Sequence, residues 1–160
     1  MALYFMCGRM ASGKSTLAAS LALEHDALLL SEDELLKRLF PNEIADLDSY
    51  VRCSTRLKSA LEAHVCDLLA RDLSVVLDFP ANTLNQRAWF RKLIDTSGAP
   101  HQLHFVDATD ETCKRQLRVR SSSGNADLAM QDETTFDLLS AYFVAPEPDE
   151  GFVVVRHERG

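Results

Sequence analysis

Short apolar runs alternate along the chain with longer segments whose apolar positions recur every three to four residues. The first run, Ala2 to Cys7 (Ala-Leu-Tyr-Phe-Met-Cys), suits a parallel strand buried on both faces. Ala27 to Leu30, Leu73 to Asp78, His101 to Asp107 and Gly151 to Arg156 repeat the pattern and predict four further strands, the first of them, Ala27 to Leu30, also buried. Between them, Ser15 to Glu24 places Leu17, Ala18, Leu21 and Ala22 on one helical face. A longer helix is predicted from about Asp48 to Arg71, with Leu57, Leu61, Val65, Leu68 and Leu69 on its apolar side. Thr83 to Asp95, Asp110 to about Arg120, and Glu133 to Tyr142 read as helices as well. Pro41-Asn42, Ser97 to Pro100 and Pro146-Glu147-Pro148 punctuate the pattern. Strands alternating with helices predict a single α/β domain over residues 1–160. The expected architecture is a three-layer α/β/α sandwich around a parallel sheet of about five strands.

The junction between the first strand and the first helix carries the clearest chemistry. Gly8-Arg9-Met10-Ala11-Ser12-Gly13-Lys14-Ser15 fits Gly-x-x-x-x-Gly-Lys-[Ser/Thr], the phosphate-binding loop of nucleoside triphosphate enzymes, in the strand-loop-helix setting it requires. This defines the fold class as a P-loop NTPase. Gly8 and Gly13 let the main chain approach a phosphate closely. Amides from Ala11 and Ser12 through Ser15 are expected to face the anion at the helix N-terminus. Lys14 is expected on the β- and γ-phosphates, the Ser15 hydroxyl on Mg²⁺, and Thr16 beside the α-phosphate.

Two carboxylates stand where parallel strands deliver residues to a ligand crevice. Asp33 follows the second strand and is the first candidate to accept a proton from an acceptor hydroxyl, with a helix N-cap as its alternative role and Glu32 as the fallback base. Asp78 ends the third strand in the place of a Walker B aspartate, expected to orient Mg²⁺, with a capping role as its alternative. Lys114, Arg115, Arg118 and Arg120 form the densest basic cluster, just before Ser121-Ser122-Ser123-Gly124-Asn125. A lid over residues 115–132 is expected, closing Arg118 and Arg120 on the transferred phosphoryl group; the alternative is a solvated helix face. His101 and His104 alternate on one strand and are assigned to packing or a sheet edge.

Composition narrows the setting. At 160 residues, 46% apolar and 26% charged, the chain has the make-up of a globular domain. No apolar run approaches ~20 residues, so no membrane-spanning segment is expected. No basic leader precedes the first strand, and the four cysteines lack metal-site spacing, so reduced thiols in a cytoplasmic protein are expected. A net charge of -7 disfavours a broad nucleic-acid surface, though not a small basic cleft.

The chain resembles the small P-loop kinases related to the kinase domain of polynucleotide kinases and, more distantly, zeta toxins and gluconate or chloramphenicol kinases. Asp33 matches that family's catalytic aspartate. Val75 to Asp78, Asn82 and Arg87 resemble its strand-aspartate-asparagine segment with a downstream arginine. Arg118-Val119-Arg120 is similar to its lid arginines. Tyr142-Phe143 to Pro146 and Glu150-Gly151-Phe152 resemble its closing segment beside the adenine pocket. The resemblance implies ATP and Mg²⁺ as cofactors, Asp33, Asp78, Asn82 and Arg87 on the acceptor side, and phosphotransfer to an alcohol group. The family's Asp-Asn-Thr-Asn is here Asp78-Phe79-Pro80-Ala81-Asn82, which implies a rebuilt acceptor side. The expected acceptor is therefore a small molecule or a nucleotide-like compound. A 5′-hydroxyl polynucleotide kinase and a slowly hydrolysing nucleotide switch are the alternatives.

Overall fold

The computed structural model describes residues 1–122 and 132–160. Five parallel strands, β1 (Leu3–Cys7), β2 (Leu28–Ser31), β3 (Val75–Pro80), β4 (His101–Ala108) and β5 (Val154–Arg159), form one sheet in the order β2-β3-β1-β4-β5. Helix α1 (Lys14–Glu24) covers one face, and α2 (Glu32–Leu39), α3 (Leu47–Ala70) and α4 (Leu84–Ser97) cover the other. Helices α5 (Asp110–Ser122) and α6 (Glu133–Ser140) stand at the C-terminal rim, packed through Cys113, Leu117 and Phe136 onto Ala11 and Ala108.

Alternation along β1 sorts its side chains between two cores. Leu3, Phe5 and Cys7 enter the larger one, under α3 and α4, while Tyr4 and Met6 meet Ala18 and Leu21 of α1. Phe5 stacks on Phe90 at 4.4 Å and receives Phe152 edge-on at 5.7 Å. Such aromatic pairs add about 0.5–1.5 kcal/mol each beyond their buried area. They bind α4 and the segment before β5 onto the central strand.

Three expectations change in detail. β2 is an edge strand, because the first crossover carries it past β3; with one neighbour only, Leu28 and Leu29 remain 46% and 41% exposed. The last strand starts at Val154 rather than Gly151. Pro148–Glu150 forms a 3-10 turn closed by Gly151 at φ 79°, and pairing begins only where Val153 accepts from the Leu103 amide at 2.8 Å. The cap of α2 is Ser31, which accepts from the Glu34 amide, so Asp33 is not the N-cap and keeps its carboxylate for other partners.

Candidate phosphate-binding site

The loop Gly8–Gly13 leaves β1 and turns into α1, with no room for a side chain at either of its two glycines. A Cβ on Gly8 would lie 2.8 Å from the Val106 carbonyl oxygen. Gly13 sits at φ 103°, and a Cβ there would lie 2.5 Å from Nη1 of Arg159. Helices α2, α3, α4 and α6 are capped by the side chains of Ser31, Asp46, Thr83 and Asp132, whereas α1 has no side-chain cap. Its first amides are left for an anion. The Ser12 hydroxyl, in a side chain only 4% exposed, is a buried polar atom without a hydrogen-bond partner among the described residues. An uncapped helix end, an orphaned hydroxyl and a neighbouring lysine fit a phosphate chain.

Lys14 Nζ donates to the carbonyls of Gly8 and Arg9, the latter at 3.1 Å. Burial pushes its ammonium below the ordinary lysine value, and the charge of Arg120 adds in the same direction. Asp78 lies half-buried on β3, level with Ser31 in the sheet register. Burial pushes its carboxyl up and the Asp33 charge adds to this, while a hydrogen bond from Ser15 and the charge of Lys14 hold it down. Lys14, Ser15, Asp33 and Asp78 therefore share one rim. Ser15 and Asp78 offer the oxygen donors that a hard divalent cation takes. Asp33 is exposed and pairs with Lys37 at 3.5 Å, one turn along α2. Glu32, the fallback base, is buried and spent on structure. It accepts from the hydroxyls of Tyr50 and, at 2.8 Å, Ser54, both on α3.

Three residues expected at the site serve elsewhere. Asn82 Oδ1 accepts from the Gly8 amide at 2.8 Å, so it props the phosphate loop rather than facing an acceptor. Arg87 is 1% exposed; its guanidinium binds Glu150 at 2.6 Å and the Ala81 carbonyl at 2.8 Å. That burial removes it from the acceptor side and makes it the anchor of the crossover into β5. Arg118 donates to Glu133 at 2.7 Å, and Lys114 pairs with Asp137 at 3.0 Å, so these two cations tie α5 to α6. Arg120, by contrast, bears electrostatically on Lys14. Residues 123–131 of the expected lid lie outside the described residues.

Two residues at the loop carried no sequence signal. Arg9 lies over the Phe143 ring at 4.7 Å and pairs with Asp110 at 3.6 Å. Phe143, Pro146 and Phe152, expected beside the adenine pocket, line with Arg9 and Phe105 an open cleft of about 600 Å³. The other residue, Arg159, is contributed by β5. Among the described residues no group of histidines, cysteines and carboxylates forms a metal cluster, and no helix is long and apolar enough to cross a membrane.

A parallel sheet in this order, with a glycine loop running from the central strand into a helix, defines a P-loop nucleotide-binding fold of the kinase-like class. A family model described as an AAA domain matches residues 3–146, and the chain belongs to that family. It is 30% identical over 152 residues to a protein KTI12 homolog of Oryza sativa subsp. indica, covering 92% of this chain and 48% of the relative. The chain thus spans about half the length of the curated relatives it matches. Among solved structures, a Chloroflexus aurantiacus protein assigned as a kinase aligns with a TM-score of 0.77 at 17% identity, over 98% of this chain and 87% of that one. The Mycobacterium tuberculosis APS kinase CysC, in complex with AMPPNP and APS, aligns at 0.58 and 20% identity, over 99% and 90%. Chaetomium thermophilum Kti12, in complex with ADP-AlF3, aligns at 0.60 and 16% identity, over 96% and 88%. These likenesses share the fold.

Proposed function

We propose that this chain is an ATP-dependent kinase that transfers the γ-phosphoryl group to a hydroxyl of a small-molecule or nucleotide-like acceptor. The observation that carries this reading is the convergence of Lys14, Ser15, Asp78 and Asp33 on one rim of the sheet. Holding a triphosphate needs only the first two. An exposed carboxylate one helical turn from a lysine, beside the phosphate loop, adds a proton acceptor. Asp33 takes the proton of the acceptor hydroxyl as that oxygen attacks, and Lys37 stands 3.5 Å from the carboxylate as its partner. Lys14 and Arg120 offset the negative charge that builds on the transferred group. Mg²⁺, when bound, neutralises phosphate charge, and Ser15 and Asp78 are the residues that would hold it.

A second reading, a nucleotide-dependent switch with slow hydrolysis, is favoured by the kinship with KTI12 homologs. A polynucleotide acceptor draws less support, because Lys114 and Arg118 are neutralised by α6 and the chain is acidic overall. The discriminating experiment is ADP release from Mg²⁺-ATP across a panel of hydroxyl acceptors that includes 5′-hydroxyl oligonucleotides. Acceptor-dependent release that Asp33→Asn slows at least tenfold, with ATP still bound, supports the kinase. Release indifferent to every acceptor and to Asp33→Asn, but raised by a partner protein, supports the switch.

A further inference from the structure

Arg159 ends β5, on the sheet face that carries α1, and its guanidinium occupies the space a Cβ of Gly13 would need: Nη1 would lie 2.5 Å from that atom, Cζ 3.1 Å and Nε 3.7 Å. Register places it beside Ala108, and its carbonyl accepts from the Thr109 amide at 3.3 Å, so the backbone that presents the side chain is fixed by β4. The guanidinium therefore rests against the phosphate loop at Gly13, next to the first turn of α1.

That location has the wrong sign for a cation left by itself. The N-terminus of a helix is its positive end. Lys14 stands at the same place, within the field of Arg120. The nearby carboxylates are committed, Asp110 to Arg9 and Asp78 to Ser15. Among the described residues no carboxylate lies within ion-pair distance of Arg159. A guanidinium carries five donors and matches phosphate oxygens in pairs. One group would satisfy its charge, that of Lys14, the uncapped amides of α1 and the orphaned Ser12 hydroxyl together: a polyphosphate seated in the loop.

We propose that Arg159 is a further phosphate-binding residue of this loop, holding the phosphate chain of the nucleotide from the β5 side. The inference rests on the reading of the loop as a nucleotide site and adds to it a cation that the loop motif does not contain. It also gives Gly13 a second reason to be glycine, since any side chain there would displace the guanidinium.

The test is a titration of the chain and of Arg159→Gln and Arg159→Lys with fluorescent ADP, ATP and adenosine, each protein first checked by a thermal melt. Arg159→Gln should weaken ADP and ATP about tenfold, as loss of a charge-assisted contact does, with adenosine affinity and melting temperature unchanged. Arg159→Lys should recover most of the loss. Equal ADP affinity in the wild type and Arg159→Gln overturns the assignment. So does an equal loss for adenosine, which would place the guanidinium on the base. Failure of the wild type to bind any of the three while Lys14→Ala behaves identically would instead defeat the nucleotide reading itself.

Discussion

The amide of Gly8 donates to Oδ1 of Asn82 across 2.8 Å, tying the entrance of the phosphate loop to the second residue after β3. Asn82 is held in turn, its own amide donating to Gln86 Oε1 at 2.8 Å and its carbonyl accepting from Val144 at 2.8 Å. Asn82→Ala should therefore loosen the loop and leave the Gly8 amide unpaired, at a cost of about 1–3 kcal/mol. The expected outcome is a several-fold rise in the ADP dissociation constant and a lower urea midpoint, with Asn82→Asp close to wild type. A variant that kept its ADP affinity but lost acceptor affinity would return Asn82 to the acceptor side.

Arg87 and Glu150 form the most buried ion pair among the described residues, at 1% and 15% side-chain exposure. Glu150 also accepts from the Glu147 amide at 2.7 Å, and its main-chain carbonyl accepts from Arg91 at 3.1 Å, so one carboxylate residue anchors the whole crossover into β5. Glu150→Gln leaves a buried guanidinium with a neutral partner, and Arg87→Ala leaves a carboxylate that is nearly buried. Breaking such a pair from one side typically costs about 3–5 kcal/mol. Each single variant should show a large loss in chemical denaturation, and the double variant should lose less than their sum. Additive losses would mean that the two residues act independently.

The parts of the site that were legible in the sequence are local. The glycine loop, Lys14, Ser15 and the strand-end carboxylates sit on contiguous elements, and their spacing determines what they face. Roles set by distant partners were not legible. Arg87 finds Glu150 63 positions away, and Asn82 finds Gly8 74 positions away. A lone arginine after an aspartate-containing strand has the same appearance whether it faces a substrate or a buried glutamate. The partner of Arg118 on α5 was hidden for a similar reason, since Glu133 pairs with it only because α6 folds back on α5. In the fold, alternating strands and helices conveyed the sandwich but not the strand order, and β2 was expected to be buried because its leucine run resembles that of a central strand.

Glu32 joins α2 to α3 through two hydroxyls, and this joint determines where the neighbouring Asp33 stands. Burial pushes the Glu32 carboxyl above its ordinary value, while the bonds from Tyr50 and Ser54 draw it down. Glu32→Ala leaves both hydroxyls without a partner and should destabilise the chain by about 1–3 kcal/mol per unpaired group. Glu32→Gln retains an acceptor for Tyr50 and removes the buried charge, so its stability at neutral pH should approach that of the wild type. Equilibrium urea unfolding of the two variants checks the contrast; equal losses would show that charge, not hydrogen bonding, matters at this joint.

His104 gives the fold a pH dependence of definite sign. Its ring is 4% exposed, with Nδ1 2.9 Å from His157 Nε2 and Nε2 3.0 Å from Gln102 Oε1. Neutral rings satisfy this chain, with His157 donating to His104 and His104 donating to Gln102. Burial, followed by the charges of His157 and His25, lowers the His104 pKa from 6.5 to about 4. The folded state therefore binds fewer protons than the unfolded chain between these two values, and the stability present above 6.5 is lost as pH falls through that window toward 4. Glu32, with its raised value, contributes in the opposite direction, so the informative quantity is a difference between proteins. Thermal melts of the wild type and His104→Gln, across the interval from neutral pH down to about 4.5, should converge as pH falls, because only the wild type carries this proton debt. Parallel melting curves would show that His104 titrates alike in the folded and unfolded chain.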